Sequence, residues 1–277
     1  MLTRLTGAIL RAVLVVLMIA TPALLLPGTN SDTAQIVVLL AFVGAAFTLV
    51  EYSGKSPSLV EFRDAPPFNR IRFGALFLTV LTLTFILRGQ FAPTTLTRLA
   101  ETAGIAITNT IDFPYSPVRL LVLILPEDAP AHIAADVRMA AGISYLVSIL
   151  SLAVFILSLR FAGWPARNGI FNFWVNLPTF DPTGGGDVVI RLERDAQVNL
   201  ILGFLLPFMI PAIVKLASDI IDPISLASHH TLIWTVTAWA FLPASLLMRG
   251  IALSHVADMI SKQRKSAEQT DGRSAHA

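Results

Sequence analysis

Histidine and carboxylate residues are the side chains of this sequence with the clearest capacity for chemistry, because imidazole and carboxylate together suit a zinc or copper ion. Those that lie between predicted membrane segments, on one side of the membrane, are His132, His229, His230, Glu127, Asp128, Asp219 and Asp222. Their spacing matches no established ligand pattern, so we expect solvated histidines, no metal site and no bound cofactor. An enzyme acting on lipid head groups through His229, His230 and Asp222 is an alternative interpretation.

Motifs that would indicate catalysis are absent from the sequence. It contains no Gly-x-Ser-x-Gly, no His-Glu-x-x-His and no cysteine, which removes the common hydrolase, zincin and thiolate signatures. The run Gly184–Gly186 lacks the Gly-Lys-Ser/Thr ending of a phosphate-binding loop, and we interpret it as a turn. We therefore predict a protein that is not an enzyme.

Composition sets the class of protein. Of the 277 residues, 55% are hydrophobic and only 14% are charged, against about 25% charged in an average soluble domain. The mean hydropathy is +0.71. These values exclude a disordered chain and an ordinary soluble domain, and they indicate a polytopic membrane protein. No run of Lys and Arg is interleaved with aromatic residues, so we predict no nucleic-acid partner.

Six segments have the roughly 20 apolar residues that a membrane-spanning helix needs. They are residues 8–27, 34–52, 72–88, 139–160, 198–218 and 231–252. We interpret the first as a retained signal anchor, because Ala23–Pro27 offers no small-x-small cleavage site. Residues 1–260 thus form a single transmembrane domain, and we predict a disordered tail over 261–277.

The distribution of basic residues predicts the orientation. Lys and Arg concentrate in segments 53–71, 161–197 and 261–277, whereas segments 28–33 and 219–230 contain none. By the positive-inside rule, both termini are predicted to be cytoplasmic, in a bacterial-type inner membrane.

The long segment before the fourth span is predicted to stay outside the bilayer core. Leu96, Leu99, Ala103 and Ile107 share one helical face, which predicts an amphipathic helix over 94–107 on the outer side. The apolar run Val118–Leu125 has eight residues, or about 12 Å of helix, and is too short to span.

Two loops on the cytoplasmic side resemble each other in pattern. Residues 58–73 and 171–192 each consist of two short alternating runs around a turn cluster, Asp64–Pro67 in the first and Asp181–Gly186 in the second. This pattern is typical of β-hairpins. The predicted fold class is an all-α polytopic membrane protein with about six transmembrane helices, two short cytoplasmic β-hairpins and one amphipathic outer segment.

The leading functional hypothesis is an accessory, scaffold or assembly subunit of a membrane protein complex, because exposed hairpin edges can add strands to a partner. Its partners would be membrane lipids and other membrane subunits or a second copy of itself. The partner-binding residues would be Phe62, Asp64, Phe68, Phe173, Trp174 and Asp181.

The alternative hypothesis is a homo-oligomeric channel or transporter for an ion or small solute. It rests on two prolines that should kink the fifth span and on a proline-broken segment that would need a polar surround. Its lining residues would be Thr108, Asn109, Asp112, Pro207 and Pro211.

Overall fold

A computed structural model describes residues 2–162, 164–165, 171–218 and 226–274. All the regular structure in these residues is helical. In chain order the helices are α1 (Leu2–Leu25), α2 (Ser31–Ser53), α3 (Phe68–Arg88), α4 (Thr95–Ile111), α5 (Pro117–Val122), α6 (Ala131–Ala162), α7 (Phe173–Asn176), α8 (Val188–Ala217) and α9 (His229–Ser274). Helices α1, α2, α3, α6, α8 and α9 are long and apolar enough to cross a membrane, which confirms the six predicted spans.

Successive spans alternate in direction, so the bundle has two ends. We call the end at which α1 begins and α9 ends the terminal face, and the other end the opposite face. At the opposite face, Gln90 after α3 hydrogen-bonds Asp136 of α6 and His229 of α9. At the terminal face, the Trp164 indole donates to the carbonyl of Ala65. The loops α2–α3 and α6–α8 therefore meet at the terminal face.

The prediction of two β-hairpins is wrong, since the described residues contain no strand. Residues 58–67 form bends and turns, and Phe68 already begins α3. In the second loop, residues 173–176 form the short helix α7 and residues 188–192 form the first turns of α8.

Polar side chains explain why these runs do not become strands. The backbone N–H groups of Ser58, Leu59 and Val60 all donate to the carboxylate of Glu51, so those that a hairpin ladder would use are already taken. In the second loop, the carboxylate of Asp187 accepts the N–H of Val189 at 2.8 Å and so caps the N-terminus of α8. Hydrogen bonds to nearby carboxylates therefore decide the local structure, because the alternation of apolar and polar residues covers only a few positions in each run.

Helix α4 forms where an amphipathic helix was predicted. Its small and hydroxyl-bearing face, which includes Thr97, Gly104 and Thr108, is buried against the bundle. Leu96 and Leu99 point away from the bundle and are exposed. The apolar face of α4 is therefore free to contact lipid.

Helix α9 continues to Ser274, so residues 261–274, which were predicted to be disordered, are helical. Its 46 residues correspond to about 69 Å of helix, more than twice the thickness of a bilayer core of about 30 Å. The C-terminal part of α9 therefore projects beyond the terminal face.

The interior contains two separate hydrophobic clusters. The opposite-face cluster is mainly aliphatic and joins α3, α5, α6 and α9; it includes Val80, Leu83, Leu87, Val118, Leu121, Ile143, Ile233 and Val236. The terminal-face cluster is rich in aromatic residues and includes Phe62, Phe68, Phe155, Trp164, Phe171, Leu177, Phe180 and Leu192. The second cluster draws much of its content from loops.

Candidate functional site

The α2–α3 loop folds back onto the end of α2. Glu51 is only 3% exposed, and its carboxylate accepts the N–H groups of Ser58, Leu59 and Val60 as well as the Ser58 hydroxyl. The guanidinium of Arg63 donates to three carbonyl oxygens at the end of α2, at 2.9 to 3.0 Å. A buried carboxylate and a capping arginine therefore fix this loop to its helix.

Asn176 joins the two loops of the terminal face. Its backbone carbonyl accepts the N–H of Phe62 at 2.6 Å, and its side-chain oxygen accepts the N–H of Asp64 at 3.1 Å. The Asn176 amide nitrogen donates to the carbonyl of Asn172, within its own loop. One buried amide thus satisfies backbone groups of both loops, which a buried loop requires.

Aromatic packing fills the space beneath this junction. The Phe62 ring lies 4.6 Å from Phe68, 5.3 Å from Trp164 and 6.4 Å from Phe171, measured between ring centroids. Phe62 has a φ of 52°, a left-handed conformation that a large side chain adopts only when its surroundings hold it there. We call the described residues 54–67 and 171–187 the terminal-face platform.

Ion pairs attach the platform to α9. The Arg249 side chain donates to both carboxylate oxygens of Glu61, at 2.6 and 2.8 Å, in a bidentate pair. Thr179 of the other loop donates to the same carboxylate at 2.9 Å. At the rim, Arg264 donates to Asp187 at 2.9 Å. Sequence reasoning missed Glu61, because its partner lies 188 residues away and no local spacing connects them.

The structure separates the predicted aromatic anchors into buried and exposed ones. Phe62 and Phe68 are 0% exposed, so they stabilise the platform itself and are closed to a partner. Phe173 is half-buried and stacks on Phe180. Trp174 is 60% exposed and is the one predicted aromatic anchor that faces outward.

The two predicted aspartates lie at exposed turns. The exposed Asp64 carboxylate pairs with the buried Arg63 side chain, with 3.3 Å between the charged atoms. The Asp181 carboxylate accepts the hydroxyl and the N–H of Thr183, at 2.7 and 2.8 Å. These hydrogen bonds, led by that of the Thr183 hydroxyl, hold the pKa of Asp181 below its ordinary value. Asp181 thus organises the turn predicted for Asp181–Gly186.

The residues suggested for a channel lie in two separate places. Asp112, whose side chain is 4% exposed, forms ion pairs with Arg119 at 2.7 Å and Arg138 at 3.1 Å. The Thr108 hydroxyl donates to the carbonyl of Gly104 in its own helix, and Asn109 is exposed.

The proline residues of the channel hypothesis belong to α8, not to this group. Pro207 and Pro211 are buried, and the Pro207 carbonyl accepts the indole N–H of Trp239 of α9 at 3.1 Å. Since α4 packs against α3 and α6 while α8 packs against α5 and α9, the described residues bring the five lining candidates to no common surface.

The histidines at the opposite face have ordinary polar partners. His229 lies 3.1 Å from the Gln90 side-chain oxygen, and His230 lies 3.3 Å from the Thr29 hydroxyl. Asp219 and Asp222 lie outside the described residues. Within the residues that the structure describes, no group of three or more His, Cys, Asp or Glu side chains is placed to hold a metal ion.

Comparison with protein-family models, with curated proteins and with solved structures finds no match to this chain.

Proposed function

We propose that this protein is a non-catalytic accessory, scaffold or assembly subunit of a membrane protein complex, residing in a bacterial-type inner membrane with both termini in the cytoplasm. The observation that carries the proposal is the terminal-face platform, in which two loops are fixed to one another and to α9 while an aromatic side chain stays exposed. The concentration of Lys and Arg at this face supports its cytoplasmic orientation.

The construction of the platform favours a docking role over a connecting role. A loop that only joins two spans needs neither a buried carboxylate nor a shared aromatic core, yet here both are present. Because the loops are already ordered, a partner that binds them pays little conformational entropy. Preorganised surfaces of this kind are typical of protein interfaces.

Trp174 is the residue through which a partner would bind. Tryptophan is enriched among the few residues that dominate binding energy at interfaces, and Trp174 projects from α7 with 60% of its surface exposed. Leu59 of the other loop is also exposed, at 63%. Each half of the platform therefore presents a large apolar side chain.

Site-specific photo-crosslinking in native membranes tests this proposal. A photoreactive phenylalanine analogue at position 174 should crosslink to one defined polypeptide, and the same analogue at Tyr115 should not. Tyr115 is the matched control, because it is 84% exposed and lies at the opposite face. A Trp174→Ala substitution should weaken the affinity for the partner about 30-fold, as expected for an interface residue worth about 2 kcal/mol.

Two results would overturn the proposal. Crosslinking at position 174 to lipid alone would make Trp174 an interfacial membrane anchor. Crosslinking to a second copy of this chain alone would indicate a homo-oligomer and would favour the channel or transporter hypothesis.

A further inference from the structure

A cationic pocket of about 350 Å³ lies at the beginning of α8, beside α9 and the platform. It is lined by Phe180, Arg191, Arg194, Asp195, Val198, Asn199 and Arg249. Three guanidinium groups thus face a single carboxylate in the lining. Arg249 also binds Glu61, and the pocket as a whole keeps a positive charge.

Two of the three arginines are held in place, and the third is available. Arg191 donates to the carbonyl of Gly184 at 3.0 Å, and its guanidinium lies 4.8 Å from the centre of the Phe180 ring. Arg249 is fixed by its bidentate pair with Glu61. The Arg194 side chain is exposed and has no hydrogen bond or ion pair with the part of the chain that the structure describes. An anion entering the pocket would find two oriented guanidiniums and a third that has no partner among the described residues.

The arginines continue into an apolar stripe on the same face of α8. Arg191, Arg194, Val198, Leu202 and Leu205 follow one another at intervals of three and four residues, which places them on one side of a helix. The three apolar members are 49%, 43% and 39% exposed. From Arg194 to Leu205 the helix rises about 16 Å, close to half of a bilayer core of about 30 Å.

This arrangement matches the shape and charge of one class of molecule. A phospholipid has a phosphate at the membrane surface and acyl chains that extend through one leaflet, and basic pockets between membrane helices bind anionic head groups. We propose that the pocket binds the phosphate of an anionic phospholipid from the leaflet at the terminal face, with an acyl chain lying along Val198, Leu202 and Leu205. The inference does not depend on the proposed subunit function.

Titration of the full-length protein with lipid, read by mass spectrometry of the intact complex, tests the proposal. Phosphatidylglycerol should bind in preference to phosphatidylcholine with the same acyl chains. Arg194→Gln should weaken phosphatidylglycerol binding about fivefold, since one basic residue near an anionic head group contributes about 1 kcal/mol. Asp195→Asn should strengthen binding, because it removes the negative charge from the lining.

Arg70→Gln is the matched control. Arg70 is an exposed arginine in the first turn of α3, at the same face but outside the pocket, and its replacement should leave binding unchanged. Equal weakening by Arg70→Gln and Arg194→Gln would mean general attraction to a basic surface and would overturn the proposal. Equal binding of the two lipids would also overturn it. Displacement of the lipid by millimolar inorganic phosphate would reassign the pocket to a soluble phosphate compound.

Discussion

The two ends of the bundle achieve order in different ways. At the terminal face, loops bury their backbone only because Glu51, Arg63 and Asn176 supply the hydrogen bonds that the backbone needs. At the opposite face, α4 and α5 satisfy their own backbone with side-chain caps, and the buried Asp112 carboxylate with its two arginines sits beside an aliphatic cluster. Loops fixed by side chains offer a shaped surface for docking, whereas short helices mainly close the end of the bundle.

Truncation of the aromatic cluster should have the largest effect. Phe68→Ala removes a ring that is 0% exposed and touches both Phe62 and Phe155, so the free energy of unfolding should fall by about 3–5 kcal/mol. Thermal unfolding in detergent measures the change. Phe161→Ala is the control, because Phe161 is 83% exposed and its loss should change little. Similar melting of the two variants would show that the platform has no packed core.

Removal of the buried charge at the opposite face should have the second-largest effect on stability. Asp112→Asn leaves Arg119 and Arg138 facing each other without a carboxylate. The free energy of unfolding should fall by about 3 kcal/mol. This is the lower end of the range for broken buried ion pairs, because both arginines are partly exposed. Chemical unfolding in detergent would report it. An unchanged midpoint would show that the ion pairs do not hold α4 and α5 to α6.

A substitution that crowds the contact between α4 and α6 should reduce stability by a smaller amount. A methyl group at Gly142 would overlap the Thr108 side chain and come within 3.0 Å of its Cα atom, so Gly142→Ala should cost about 2 kcal/mol through overpacking. Gly74→Ala, where nothing lies within 4 Å of the added carbon, should be neutral or slightly stabilising. Melting temperatures of the two variants test whether α4 packs this closely.

The smallest effect concerns an exposed carboxylate at the terminal face. The N–H of Val189 and then Arg264 lower the pKa of Asp187 from its ordinary value of 3.8. Its contribution to stability is therefore present above that value and is lost as the pH falls through the lowered pKa. In Arg264→Gln, the pKa of Asp187 should rise towards the ordinary value, as read by NMR of the labelled carboxyl carbon. The pKa of Asp181, which depends on Thr183, should not change.

Hydrophobic length was enough to predict the spans, because crossing a bilayer imposes a strong and local requirement on the sequence. The terminal-face loops could not be predicted in the same way. An exception is Asp187, which precedes an apolar run and is therefore a helix-capping signal. This signal predicts a helix that begins at Val188, as α8 does.

The remaining features depend on contacts that are distant in sequence. Glu61 meets Arg249 across 188 residues, and Asn176 meets Asp64 across 112. Phe62 lies in a polar, turn-rich loop and Phe68 directly follows it as the first residue of α3, and this setting led to the prediction that both are exposed anchors. Their burial follows from packing among the two loops, α3 and α6, and no pattern within one loop indicates it.

The subunit hypothesis is tested most directly by the mass and composition of the intact particle, extracted from native membranes in a mild detergent. The subunit hypothesis predicts a particle in which this 29.9 kDa chain is present in fixed ratio with a second polypeptide. It also predicts that Trp174→Ala releases that polypeptide while the chain stays folded. A particle that contains this chain alone, as a monomer or a multiple of its mass with bound lipid, would contradict the hypothesis.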